Sequence, residues 1–316
     1  MDDVMKPKIT VQILTFNEEK HLARCIDSVA SFASQVVVID SFSTDRTVEI
    51  AKEKGALVLQ NKWLNNYAHQ FNWGLDNANI ESDWIMRLDA DEYITPELAE
   101  EIVNKLPGLV DSVSGIYMRR RIFFLGQWMK RSGTYPMWVL RLWRNGHGRC
   151  ENRWMDEHIL LSQGESTRFE HDLVDDNLND LTWWTNKHNH YATREAADLL
   201  NHKYHFTPFD ERDESDGEQA MFKRWLKEKV YANIPLFVRP FIYFLYRYFI
   251  RLGFLDGRRG FMWNILQGFW YRFLVDSKMF EAEEIIKHAS NKKEAAQDLV
   301  EDQWGLKPPT KTANKG

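Results

Sequence analysis

Short β-branched apolar runs alternate with amphipathic helical segments through the first third of the chain, a rhythm that few folds accommodate. Ile9-Thr10-Val11-Gln12-Ile13-Leu14 alternates and reads as a strand. Thr15 to Glu19 follows as a loop, with Asn17 placed to cap a helix over Lys20–Phe32 whose Leu22, Ile26 and Val29 share a face. Val36-Val37-Val38-Ile39 is continuously apolar, as in a buried parallel strand, and ends at Asp40. Thr44 or Asp45 then caps a helix through Lys54, which Gly55 stops. Ala56–Leu59 predicts a third strand, Asn66–Ala78 a helix and Trp84–Leu88 a fourth strand. Strands linked through helices demand right-handed crossovers and an open, mainly parallel α/β sheet flanked by helices. Ligands of such sheets bind beyond the carboxyl ends of the strands. Thr15 to Glu18, Asp40, Asp89 and Asp91 all fall at such ends.

Asp89-Ala90-Asp91-Glu92 follows the fourth strand directly. Two carboxylates one residue apart can hold a hard divalent cation, which in turn grips a diphosphate. Aspartates also crowd loops for turn reasons, so the spacing alone is a weak signal. Glu92 has the further option of capping the helix announced by Thr95-Pro96-Glu97-Leu98. A dinucleotide-binding G-x-G-x-x-G is absent, as is the Gly-rich basic loop of a sugar nucleotidyltransferase. A dehalogenase-type phosphatase places its D-x-D after the first strand, not the fourth.

Taken together, Thr15-Phe16-Asn17-Glu18-Glu19, Val38 to Thr47, Gln70-Phe71-Asn72 and Leu88 to Glu92 resemble a family 2 glycosyltransferase, an inverting enzyme with the GT-A fold. Phe124-Leu125-Gly126, Tyr135-Pro136, Arg141 to Arg144 and Asp156-Glu157-His158 are most similar to the bacterial lipopolysaccharide-core β-glucosyltransferase group. The resemblance runs over roughly residues 8–195 and more loosely to about 280. It implies that Asp40 accepts the imide N–H of a uracil. Thr15, Asn17 and Glu18 would line the base and ribose, and Asn72 would approach the nucleotide or sugar. Asp91 would be the principal ligand of Mn²⁺ or Mg²⁺, with Asp89 on the ribose or supporting the metal, and His171 a further ligand. Glu157 would be the base that deprotonates the acceptor hydroxyl, with Asp156 as fallback. The plainer readings are turn or capping roles for Asp40 and Asn17, a solvated Asn72, a chance surface pair for Asp156 and Glu157, and a structural His158. Two positions depart from the pattern: Phe42 stands where the family often has Gly, and Asp156 where the subgroup commonly has His.

The remainder of the chain is unlike the first half. Residues 221–274 hold ten Lys/Arg against two Asp/Glu, and 17 of the 43 aromatics, in a chain of net charge −5. A spanning helix needs ~20 mostly apolar residues, and the run from Ile234 to Arg251 is broken by Arg239, Pro240 and Arg247. A central Arg costs about 2.5–3.5 kcal/mol on insertion scales. Helices lying in the interface are therefore expected, with aromatics at headgroup depth and Arg on anionic lipid. A core-facing hairpin or an oligomer contact is the alternative. The division expected is a GT-A domain over 1–200, an acidic mobile loop over 201–220, an amphipathic membrane-associating region over 221–290 and a polar flexible tail from 291. Two cysteines, Cys25 and Cys150, form no disulfide framework. The N-terminus does not read as a signal peptide, so an intracellular chain is expected. The resemblance implies the cytoplasmic face of a bacterial inner membrane, a UDP-sugar donor such as UDP-glucose, and a lipid-linked or lipopolysaccharide-type acceptor. No nucleic-acid partner is expected. The competing class is an inactive membrane-binding subunit that retains only nucleotide-sugar binding, which UDP-sugar hydrolysis would exclude.

Overall fold

The computed structural model describes residues 7–151, 153–155, 157–207 and 234–307. Four parallel strands appear where the apolar runs predict them: β1 (Ile9–Thr15), β2 (Gln35–Asp40), β3 (Leu57–Gln60) and β4 (Trp84–Asp89). They are joined by α1 (Leu22–Val29), α2 (Thr47–Glu53) and α3 (Tyr67–Asn77). Then come β5 (Glu92–Ile94), α4 (Pro96–Lys105), β6 (Val113–Phe124), β7 (Gln127–Trp128), β8 (Met137–Arg144), β9 (Gly148–Cys150), β10 (Ile159–Leu161) and β11 (Glu165–Asp175). The main sheet runs β3-β2-β1-β4-β8-β6-β11-β5, with β7 on β6. β8 lies antiparallel to both β4 and β6, whereas β11 is parallel to β6.

Period-two alternation builds the layers. Ile9, Val11 and Ile13 of β1 turn to one face, where Leu22, Cys25, Ile26 and Val29 of α1 and Leu98 and Ile102 of α4 bury against them. Gln12 turns to the other face and donates from Nε2 to the Phe71 carbonyl of α3 at 2.7 Å. Thr95 caps α4, its hydroxyl accepting from the Leu98 amide at 3.3 Å. Glu92 has no capping role there: it is buried in β5 on Arg141.

The C-terminal region is helical: α5 (Leu181–Tyr204), α6 (Val238–Leu245), α7 (Gly257–Trp263), α8 (Tyr271–Ile286) and α9 (Lys292–Asp298), with π-helical turns over Tyr246–Ile250, Asn264–Trp270 and Leu299–Gln303. Three expectations are corrected. The boundary at residue 200 falls inside α5, whose Ala196, Ala197 and Leu200 share a core with Met279, Ala282 and Ile286 of α8. The tail from 291 is docked as far as the described residues run, with Leu299, Val300 and Leu306 buried and Trp154 Nε1 donating to the Lys307 carbonyl at 2.8 Å. Arg239 and Arg247 do not face outward. Arg239 Nε reaches Asp276 Oδ1 at 2.7 Å, and Arg247 donates to the Ser132 carbonyl and Thr134 Oγ1, both at 3.1 Å. Most of the expected acidic loop, from residue 208, lies outside the described residues, as does the chain beyond 307.

Candidate active site

β1 and β4 are neighbours, yet the chain leaves β1 through β2 and β3 before returning to β4 on its other flank. That reversal splays the connecting loops and opens a crevice at the carboxyl edge, the position where open α/β sheets bind ligands. Thr15, Phe16, Glu18, Asp89, Asp91 and Glu157 line one continuous cleft there.

Its wall beyond β1 and β2 is two laced loops. Asn17 takes φ +57° and Phe42 φ +62°. Glycine meets that requirement most cheaply, which accounts for the family's preference where Phe42 stands. The Asn17 amide donates to Ser43 Oγ at 2.9 Å while its side-chain oxygen accepts the Thr44 amide at 2.8 Å. Beneath them Asp40 is fully buried. Its carboxylate accepts from Thr15 Oγ1 at 3.1 Å, and from the Ser43 amide and Gln60 Nε2, each at 3.0 Å.

The D-x-D aspartates are held very differently. Asp89 accepts from Tyr67 Oη at 2.6 Å and Arg141 Nη2 at 3.0 Å, and Arg87 Nε stands at 3.5 Å. Burial alone would raise its pKa, but Arg141 and Arg87 hold it well below the usual carboxylate range. Arg141 also binds Glu92 Oε1 at 2.5 Å, so one guanidinium joins β4, β5 and β8. Asp91 lies two residues further on, accepting Asn177 Nδ2 at 2.9 Å. Behind it, burial and the Asp91 charge push Asp175 up to about 7. Lys187 of α5 closes this corner. Burial disfavours its charge, but Tyr191, Asp91, Glu18 and Asp175 together lift its pKa above the ordinary lysine value. Glu157 lies on the opposite side of Arg87, whose Nη1 donates to the Glu157 carbonyl at 3.1 Å.

Two expected members lie elsewhere. His171 sits four residues up β11 from Asp175, with Nδ1 2.9 Å from Glu101 Oε2 on α4. The strand register carries it toward α4 and away from Asp91, so the structure does not bring it to the D-x-D. Asn72 spends its amide on β9, donating to the Cys150 carbonyl at 2.8 Å and accepting the Cys150 amide at 3.0 Å. Asp156 is outside the described residues. Sequence reasoning overlooked Arg87, Tyr67 and Lys187. Arg87 stands inside an apolar strand, a buried charge that needed a partner, and was the one available signal.

Residues 10–172 match the family Glycosyl transferase family 2. An uncharacterised glycosyltransferase of Rickettsia typhi is 29% identical over 276 residues, 87% of each chain. The lipopolysaccharide core biosynthesis glycosyltransferase LpsC of Rhizobium meliloti is 26% identical over 284 residues, 88% of this chain and 94% of that one. Among solved structures, the mannosyltransferase PcManGT from Pyrobaculum calidifontis, in complex with GDP-Man and Mn²⁺, superposes over 88% of both chains with a TM-score of 0.51 at 13% identity, a likeness of fold. The chain belongs to glycosyltransferase family 2, a GT-A-like enzyme whose sheet edge carries the cleft described above.

Proposed function

We propose that this glycosyltransferase moves a hexose, glucose in the first instance, from a UDP-sugar to a hydroxyl of a lipid-linked or lipopolysaccharide-type glycan at the inner face of a bacterial inner membrane. The observation that carries the reading is the meeting of Thr15, Asp89, Asp91 and Glu157 in one cleft at the switch between β1 and β4. In this reading Asp40 selects uracil through its imide N–H, displacing one of its present donors, with Thr15, Asn17 and Glu18 around base and ribose. Asn72 supports the wall of the site through β9.

A divalent cation fits the donor set at Asp91. No group of three or more His, Cys, Asp or Glu among the described residues can enclose an ion by itself. Mg²⁺ and its like, however, commonly take one or two carboxylates and complete their shell with phosphate oxygens and water. Asp91 beside Asp175 supplies two carboxylates whose mutual repulsion a cation would relieve, while Asp89 remains on Arg141. The cation would neutralise the departing diphosphate.

The chain's own groups do the rest. Glu157 takes the proton from the acceptor hydroxyl as that oxygen attacks the anomeric carbon from the face opposite the diphosphate, which gives inversion. Arg141 and Tyr67 fix Asp89 so that the loop bearing Asp91 keeps its position. Association with anionic lipid would bring the enzyme to its acceptor.

The test is a thermal-shift panel of UDP-, GDP- and CDP-sugars with and without Mn²⁺. Selective, metal-dependent stabilisation by one UDP-sugar is expected. A response to GDP-sugars alone would refute the role given to Asp40. Glu157→Gln should keep the donor-induced shift and lose turnover by about 10²–10⁴-fold. Near-normal turnover would remove Glu157 from the mechanism.

A further inference from the structure

We propose that two segments distant in sequence, the loop between β6 and β8 and the stretch from the π-helical turn after α6 into α7, form a single surface that docks on an anionic lipid bilayer. This builds on the proposed membrane-borne acceptor, but its test does not use turnover. In the second segment Phe249, Ile250, Leu252, Phe254, Leu255 and Phe261 are all exposed, Ile250 to 72% and Leu255 to 56%. Single exposed apolar residues need no explanation, whereas a contiguous run of large ones marks a docking surface. Arg251, Arg258 and Arg259 are exposed among them. Lys130 and Arg131 of the first segment are exposed too, and the apolar Leu125 stands at the tip of the same loop.

The two segments are joined through part-buried polar contacts. Gln127 Nε2 donates to the Asp256 carbonyl at 2.8 Å, the Arg131 amide to Asp256 Oδ2 at 2.9 Å, and the Ser132 amide to the Arg251 carbonyl at 3.0 Å. Residues 125–134 hold no acid and residues 234–274 hold only Asp256, which is buried in that junction next to the contacts that Asn264 and Arg247 make to Ser132. The surface thus combines apolar area with five exposed cations and, among the described residues of these segments, no exposed acid. A second copy placed symmetrically on the surface would set cation against cation. Anionic headgroups complement both components at once.

The experiment is co-sedimentation of the full chain with vesicles of phosphatidylcholine alone and of phosphatidylcholine with phosphatidylglycerol. Binding is expected on the anionic vesicles and should fall with salt. Arg258→Gln with Arg259→Gln should weaken partition by about 25-fold, near fivefold per charge. Phe254→Ser with Leu255→Ser should weaken it by about tenfold or more. Lys130→Gln with Arg131→Gln, in the catalytic domain, should weaken it about as much as the arginine pair. Each variant should keep the wild-type melting point, which separates lost docking from lost fold. Equal binding to both vesicle types, or wild-type partition by the Lys130/Arg131 variant, would overturn the composite surface. So would a dimer in size-exclusion chromatography that Phe254→Ser with Leu255→Ser dissolves. Vesicle binding without any donor-induced thermal shift would sink the donor reading and leave this surface standing.

Discussion

At the scale of single residues, the site is organised by arginines to which the sequence motifs assign no role. Arg141 satisfies Asp89 and Glu92 together while almost wholly buried. Removing it leaves two carboxylates without their common partner, so Arg141→Met should destabilise the fold by about 3–5 kcal/mol in urea titration. Lys, with a point charge in place of a fork, should recover only part of that. Glu101 offers a pH-dependent counterpart. Burial works against its charge, yet Lys105, the Glu170 and His171 amides and the His171 ring hold it down to about 2, below its ordinary 4.5. A carboxylate with a depressed folded pKa stabilises above its unfolded value and loses that contribution as pH falls through the folded one. Glu101→Gln should therefore cost about 1–3 kcal/mol at pH 7. The gap to wild type should close between pH 4.5 and 2, followed by chemical denaturation at each pH. The structure places His171 on Glu101, a partner as illegible in the sequence as those of Arg141. Glu101 is 70 residues away and reaches His171 only because α4 packs on β11.

At the scale of elements, the four parallel strands were legible because buried parallel strands are continuously apolar or strictly alternating. β6, β8 and β11 were not identified as strands. Arg119, Arg120 and Arg121 interrupt the pattern of β6, and Asp172 on β11 neutralises two of them, at 2.9 Å from Arg119 and 2.6 Å from Arg121. Neither charge pattern reveals its partner in one dimension. Arg239 and Arg247 were misplaced likewise, since Asp276 and the Ser132 loop are far away in sequence. Packing at α3 is tight enough to test. A Cβ on Gly74 would stand 2.7 Å from Ile39 Cγ1 and 2.8 Å from Gln12 Nε2. Gly74→Ala should cost about 1–3 kcal/mol despite the better helix propensity of alanine. In the last described segment, fully buried Leu299 gives the complementary case: Leu299→Ala should lose about 2–5 kcal/mol, whereas a disordered tail would show no change.

At the scale of the whole molecule, the carboxyl-edge location of the site followed from strand order, so Thr15, Asp40, Asp89 and Asp91 could be placed before any coordinates. The wall supplied by α5 could not, because nothing in Leu181–Tyr204 reports which face meets the cleft. The C-terminal helices share their core with α5 and with Trp154 of the catalytic half. Tryptophan fluorescence and far-UV circular dichroism should accordingly report one coincident urea transition. Two separated midpoints would show that the halves unfold independently.

α5 is a rigid rod of 24 residues, about 36 Å long. Trp183, Lys187, Tyr191 and Arg194 border the cleft from it, and Ala196, Ala197 and Leu200 anchor the helices behind. One helix thus joins the cleft wall to the C-terminal core, and any coupling between donor binding and the proposed bilayer docking is bound to be reciprocal. Whatever factor a bilayer applies to donor affinity, the donor must apply to bilayer affinity. Vesicle partition measured with and without UDP-sugar would read that factor directly, and an unchanged partition would show that the proposed docking surface and the cleft are uncoupled.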